Sequence, residues 1–251
     1  MTIYIKTLLE KDMREDGRKL DEYRPIKIQY GVSAKSAEGS AKVCIGETEV
    51  IAGVKMDIGK PFLDTPNEGV LMVNAELTPL SSPEFQLGPP DIESIEISRV
   101  VDRAIRESKA IDFGKLCIKK GEEVWMVFVD IYPLNDAGNL FDAASLAAIA
   151  AIKDAKFPEV VKGKVNYKKH AKGLPLKGTP ISCTIGMIGN KILVDPTNEE
   201  EKELDARLTI GIMGNKICSL QKGGEKPLSI EETEKIIDLA LKKVKGLEKK
   251  L

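Results

Sequence analysis

Two stretches decide the fold: Glu122-Glu-Val-Trp-Met-Val-Phe-Val-Asp-Ile-Tyr132 and Asp142-Ala-Ala-Ser-Leu-Ala-Ala-Ile-Ala-Ala-Ile-Lys-Asp-Ala155. The first is too dense in β-branched and aromatic residues for anything but a buried strand. The second reads as an alanine-rich helix whose small side chains suit close packing inside a core, with Asp142 as its N-cap. Upstream, Ile26-Lys-Ile-Gln-Tyr30 alternates as a half-buried strand does. Ser40 to Ile45, the turn Gly46-Glu47 and Thr48 to Lys55 read as a hairpin of two β-branched runs. Val70 to Leu77 is a further strand, reached through a loop over 59–69. Pro89 to Ile111 reads as a helix, with Ile97, Val101, Ala104 and Ile105 gathered on one side. Residues 5–24 form a charged arm with room for a short helix.

Downstream, prolines, glycines and six lysines between 157 and 178 mark a surface connection. Ile181 to Met187, Lys191 to Val194, Ala206 to Met213 and Lys216 to Leu220 follow as strands, with Gly-Asn turns at 189–190 and 214–215. A last helix runs from about Ser229 to Lys249, and Ser229 and Glu232 have capping-box spacing. Each half is thus several strands followed by a long helix. That argues for an α+β fold of two pseudo-duplicated β-α halves rather than a doubly wound parallel sheet. The expected organisation is a single domain over 1–251, with halves at about 20–156 and 178–251 joined by the lysine-rich connection.

With 38 basic and 39 acidic residues, the net charge of −1 argues against a free-standing, strongly basic nucleic-acid binder. It leaves room for a local patch or a surface shared in an assembly. Cys44, Cys117, Cys183 and Cys218 form no CxxC pair and read as reduced thiols. The single histidine, His170, has no ligand cluster around it, so no metal site and no Ser-His-Asp triad is expected. There is no signal-peptide pattern, and the most apolar run, Leu146 to Ile152, is too short to span a bilayer. A cytoplasmic protein with no membrane partner is the expectation. No GxGxxG, Walker loop or HExxH occurs.

Three segments hold candidate chemistry. Arg99, Arg103 and Arg106 share one helical face and would suit bidentate contact with phosphates. The competing reading is a solvated face paired with Glu96 and Asp102. Asp195, followed by Glu199-Glu200-Glu201 and Asp205, offers carboxylates for acid chemistry or simply an acidic loop. Asn135 to Asp142 joins a strand end, a glycine and a helix N-terminus, the usual setting of an anion cradle. Leu140 and Phe141 bring no side-chain donor, however, and Asp142 would repel a phosphate, so a packing junction is the better reading.

Taken in order, these segments resemble the RNase PH family. The resemblance rests on Arg14-Glu-Asp16-Gly17-Arg18 with Arg24-Pro25, Gly46-Glu-Thr-Glu-Val-Ile-Ala52, and Ile95-Glu-Ile-Ser-Arg99-Val-Val-Asp-Arg103. Gly138-Asn-Leu-Phe-Asp142-Ala-Ala-Ser-Leu-Ala147 and Val194-Asp195-Pro-Thr197 complete it. It implies the RNase PH fold (ribosomal protein S5 domain 2-like) and phosphorolysis, in which inorganic phosphate attacks the last 3′ linkage of RNA. Active members hold that phosphate with a Gly-Ser/Thr-Arg loop before the alanine-rich helix. The matching stretch here, Gly138 to Asp142, has neither arginine nor hydroxyl. Active members also carry two aspartates six apart, where this chain has Asp195 and Glu201.

Within the family, the chain resembles the non-catalytic subunits of the archaeal exosome. That implies no catalytic and no metal-binding residue here, with Arg99 and Arg103 as the RNA-binding pair. It implies no cofactor in this subunit; phosphate, with magnesium where used, belongs at a partner's active site. The implied partners are RNA, a catalytic RNase PH-like paralogue in a hexameric ring of three heterodimers, and S1- or KH-bearing cap proteins. The alternative is a phosphate-dependent exoribonuclease in its own right, using Asp195 and Glu201. A third reading is a binding protein that shares the fold and has no tie to RNA.

Overall fold

The computed structural model describes residues 2–161 and 164–251, apart from the side chains of Thr2, Ile3, Lys164 and His170. The reading of His170 therefore lies outside the described residues. The first elements along the chain are α1 (Thr2–Glu10), β1 (Ile26–Tyr30), β2 (Gly39–Ile45), β3 (Thr48–Gly59), β4 (Val70–Ala75) and α2 (Ile92–Glu107). β5 (Cys117–Lys119), β6 (Glu123–Asn135), α3 (Leu140–Asp154), β7 (Lys156–Val161) and β8 (Lys164–Gly173) follow. The chain continues through β9 (Ile181–Ile188), β10 (Lys191–Val194), α4 (Asn198–Glu201), β11 (Ala206–Met213), β12 (Lys216–Gly223) and α5 (Ile230–Glu248).

β6 pairs with three strands of the larger sheet, which is ordered β1-β2-β3-β6-β4 with β5 also on β6. β4 alone lies parallel to β6; the other pairings are antiparallel. Val127, Val129 and Ile131 are fully buried, as the density of β-branched residues requires. The smaller sheet is ordered β10-β9-β11-β12.

α3 packs against β2 and β3 of one sheet and against β9 of the other. Every residue from Leu140 to Ile152 is buried, so alanine is needed on all sides of the helix. A Cβ on Gly39 would come within 2.4 Å of the Ala151 carbonyl and the Ala155 backbone, so β2 and α3 touch nearly backbone to backbone. All eight residues of β9 are buried, since α5 covers its other side with Ile236, Ala240, Val244 and Leu247. The α+β architecture expected from the sequence is what the chain adopts.

Several boundaries and roles differ from expectation. α2 is shorter than 89–111: Asp91 caps its start, just after two prolines, and Lys109 turns left-handed (φ 54°) beyond its end. α3 begins at Leu140 with Asn139 as its N-cap, so Asp142 lies inside the first turn and is not the cap. The lysine-rich connection is itself a two-stranded hairpin, β7–β8. The first half does not place its strands before its helices, because α2 is inserted between β4 and β6. The charged arm is anchored: Ile5 and Leu9 pack with Ile188 and Leu193 in a small separate cluster. Among the described residues, no helix is long and apolar enough to cross a membrane.

Candidate functional site

The junction between β6 and α3 is pressed onto the loop after β10. Gly138 has φ +93°, and a Cβ there would lie 2.5 Å from the Pro196 carbonyl oxygen and 2.7 Å from Asn198 N. Only glycine meets both demands. Asn139 is left-handed too (φ 61°) and fully buried, a conformation asparagine tolerates better than most residues. Its backbone N–H donates to Glu201 Oε1 at 2.9 Å. Its side-chain amide donates to Asp142 Oδ2 at 3.1 Å and to Asp195 Oδ1 at 2.9 Å. One asparagine thus touches three carboxyl groups.

Their environments differ. Asp142 is wholly buried; Tyr23 Oη donates to its Oδ2 at 2.6 Å and the Thr184 backbone N–H to its Oδ1 at 2.8 Å. Burial pushes its pKa up to about 7 despite those donors. Glu201 is pushed up to about 8, again chiefly by burial, with the charges of Asp136 and Glu93 adding to the rise. Asp195 is also buried, which opposes its charge, yet Arg24 and Asn139 hold it below the usual carboxylate range.

Asp195 is the hub of the N-terminal arm. Arg24 donates to it through its backbone N (2.8 Å), Nε (2.8 Å) and Nη2 (2.7 Å). Arg18 Nη1 adds a fourth donor at 2.9 Å, and Asn139 is the fifth. Arg14 is buried beside them, paired with Glu200 and donating to the carbonyls of Val194 and Asp195 at 2.9 and 2.8 Å. An ionised carboxylate so surrounded has no proton to give and no open direction for a metal. Asp195 and Glu201 do not form an acid pair. One is a clamp for the arm, and the other faces the cleft at the α3 N-terminus.

That cleft is lined by Glu93, Glu96, Phe141, Glu201 and Arg207, among others. Arg207 is engaged through Nη2, which meets Glu96 at 2.6 Å, and its guanidinium lies 4.0 Å from the centre of the Phe141 ring, while its buried Nη1 has no hydrogen-bond partner among the described residues. An anion approaching the N-terminus of α3 would therefore meet Glu201 in place, with Glu93 and Asp136 close by. The expected packing junction is what stands there. Among the described residues, no group of three or more His, Cys, Asp or Glu side chains has a metal-holding arrangement.

The arginine face of α2 divides in two. Arg106 is tied down, with Nε and Nη2 on Asp102 at 3.0 and 2.6 Å and Nη2 on the Leu71 carbonyl at 3.0 Å. Glu96 turns away to Arg207 and Gln221. Arg99 and Arg103 are exposed, and among the described residues neither has a hydrogen bond or ion pair. Of the two pairings considered from the sequence, only Asp102 with Arg106 forms. Sequence reasoning missed the Glu93–Asp136–Glu201 grouping and the Arg24–Asp195 clamp, whose partners lie far apart in the chain. The Arg14 to Arg24 motif was the one signal that pointed toward the clamp.

Comparison with known proteins agrees along the whole chain. Residues 22–158 match the model for the 3′ exoribonuclease family, domain 1, and residues 178–243 that for domain 2 of the same family. The exosome complex component Rrp42 of Methanothermobacter thermautotrophicus is 48% identical over 247 residues, covering 97% of this chain and 91% of the relative. The Rrp42 of Archaeoglobus fulgidus is 46% identical over 249 residues, covering 98% and 94%. A chain in the solved structure of the Archaeoglobus fulgidus exosome with RNA bound to the active site superposes with a TM-score of 0.92 at 45% identity, over 99% of this chain and 96% of that one.

Proposed function

Because the chain belongs to the 3′ exoribonuclease (RNase PH) family, we propose that it is a non-catalytic, RNA-binding subunit of a 3′-to-5′ phosphorolytic RNA-degrading exosome. The observation that carries this reading is the closed N-terminus of α3. Phosphate is the nucleophile in phosphorolysis and must be held in line with the last linkage of the RNA. Here the leading helix turn meets the carboxyl group of Glu201, and residues 138–142 bring neither arginine nor hydroxyl. Asp195, saturated by five N–H donors, is no general acid. The likeness over nearly the full length to relatives named as exosome components supplies the setting.

In this reading the chain pairs with a catalytic paralogue in the cytoplasm. Three such heterodimers close a hexameric ring, on which S1- or KH-bearing cap proteins sit. The chain holds no cofactor; phosphate, and magnesium where it is used, belong to the paralogue. Arg99 and Arg103, one helical turn apart and free of partners among the described residues, hold the RNA backbone at the shared cleft.

The test is reconstitution. The purified chain, given RNA, phosphate and magnesium, releases no nucleoside diphosphate. Mixed with the catalytic paralogue, it forms a stable complex that does. Diphosphate release by the chain alone, or failure to associate, overturns the reading.

A further inference from the structure

The hairpin β7–β8 concentrates positive charge. Residues 156–177 hold seven lysines and one glutamate, six net positive charges, in a chain whose total is −1; the remainder therefore carries seven net negative charges. Lys156, Lys168, Lys169 and Lys172 are all exposed. Lys169 reaches Glu159 only at 4.0 Å, and Lys177, at the base, meets Asp112 at 3.2 Å. Among the described residues, Lys156, Lys168 and Lys172 have no side-chain partner. Like charges gathered on paired strands repel one another, so such a patch lowers stability unless a partner neutralises it.

The hairpin is joined to the arginine helix. Lys177 N donates to the Ala110 carbonyl at 2.7 Å, Asp112 N donates to the Pro175 carbonyl at 3.0 Å, and Ile111 bridges Leu176. The base of the hairpin thus sits just beyond the C-terminal end of α2, about 10 Å along the helix axis from Arg103. Tyr167 is exposed on β8, with Lys55 Nζ 4.7 Å from its ring centre.

We propose that the β7–β8 hairpin is a second RNA-docking surface, holding the phosphate backbone of a strand whose 3′ end lies at Arg99 and Arg103. The composition favours RNA over a protein partner. Protein–protein interfaces are poor in lysine and rich in arginine, whereas lysine point charges suit a phosphate backbone read without regard to sequence. The proposal rests on the reading that this chain binds RNA.

The experiment replaces Lys156, Lys168 and Lys172 by Gln in the reconstituted complex. Affinity is measured against salt concentration for a long single-stranded RNA and for an oligonucleotide too short to reach from α2 to the hairpin. For the long RNA, the slope of log affinity against log salt falls by about 2, at roughly 0.7 per lost phosphate contact. The advantage of the unmodified complex over the variant then shrinks about twenty-fold between 50 and 200 mM salt. The short RNA binds both complexes equally. An unchanged slope for the long RNA, while Arg99→Ala with Arg103→Ala still weakens both RNAs, overturns the hairpin and leaves the RNA-binding reading standing. Insensitivity of both RNAs to both sets of substitutions overturns the two together. A triple variant that folds but no longer joins the paralogue assigns the hairpin to a protein contact, and that also overturns the proposal.

Discussion

The backbone N–H of Asn139 donates to Glu201 Oε1 at 2.9 Å, so the first turn of α3 is closed by a carboxyl group from the chain itself. A helix N-terminus favours an anion through its free N–H groups and its dipole. In this molecule the place is taken by a carboxyl group some sixty positions further along the chain, which burial keeps protonated up to about pH 8.

The closure makes stability depend on pH. Glu201 and Asp142 titrate near 8 and 7 in the folded chain, both above ordinary carboxylates. A raised acid binds protons in the folded state that the unfolded chain releases. Its contribution is therefore complete below the unfolded pKa and is lost as pH rises through the folded value. The denaturant midpoint should fall between pH 5 and pH 8.5, a range that spans those two titrations. Glu201→Gln, which cannot ionise, should flatten the upper part of that fall. A slope unchanged in E201Q would refute the assignment.

At the acid end the sign reverses. Asp195 is held below the usual range by Arg24 and Asn139, so its contribution is present above the unfolded pKa and is lost as pH falls through the folded one. Arg24→Met keeps the backbone N–H but leaves a buried carboxylate short of the Nε and Nη2 donors and of its countercharge, and should cost about 3–5 kcal/mol in urea unfolding. The doubly neutral Arg24→Met with Asp195→Asn should recover part of that loss. If R24M unfolds at the same urea concentration as the unmodified chain, the clamp is not structural.

Glycine at 138 is required by both backbone and space. Gly138→Ala faces a left-handed φ of +93° and a carbonyl oxygen 2.5 Å from the new Cβ. Gly121→Ala has a similar φ, +76°, with open space around it. The Gly121 change should cost about 1 kcal/mol, from backbone strain alone, and the Gly138 change clearly more. Equal losses in calorimetry would mean that the loop at 196–198 moves aside freely.

Arg99 and Arg103 should act on RNA and not on folding. Both are exposed and unpaired among the described residues, so Arg99→Ala with Arg103→Ala should leave the melting temperature within about 2 °C. In the reconstituted complex the salt slope of RNA affinity should drop by about 1.4. Arg106→Ala should do the opposite, loosening α2 from β4 while leaving the slope in place. A slope change for Arg106→Ala alone would reassign the contact.

What was legible in the sequence was local. The Gly46-Glu47 hairpin, the buried stripe Ile97–Val101–Ala104–Ile105 and the Ser229–Glu232 capping box all rest on residues a few positions apart, where periodicity and turn chemistry speak directly. The wrong N-cap shows the limit. Asp142 has the right residue type near the right place, but its partners are Tyr23 and Thr184, on distant segments. Glu96 likewise stands in sequence beside Arg99 and Arg103, but its partner in the fold is Arg207, 111 positions away. A stripe of arginines can be located from sequence; which of its members, and which carboxylates, are already engaged depends on tertiary packing.

The lysine hairpin has a consequence that needs no contact at all. Six net positive charges gathered on one segment, in a chain that is otherwise seven net negative, distribute charge unevenly although the pI is near 6.1. In the field of a polyanion the hairpin is drawn in while the net negative remainder is repelled, and the molecule turns accordingly before it touches. That orienting torque acts on encounter rates rather than on equilibrium geometry. It fades as the screening length contracts to about 10 Å at 0.1 M salt, so the molecule should meet a phosphate chain fast and aligned in dilute buffer, and slowly and at random in concentrated salt.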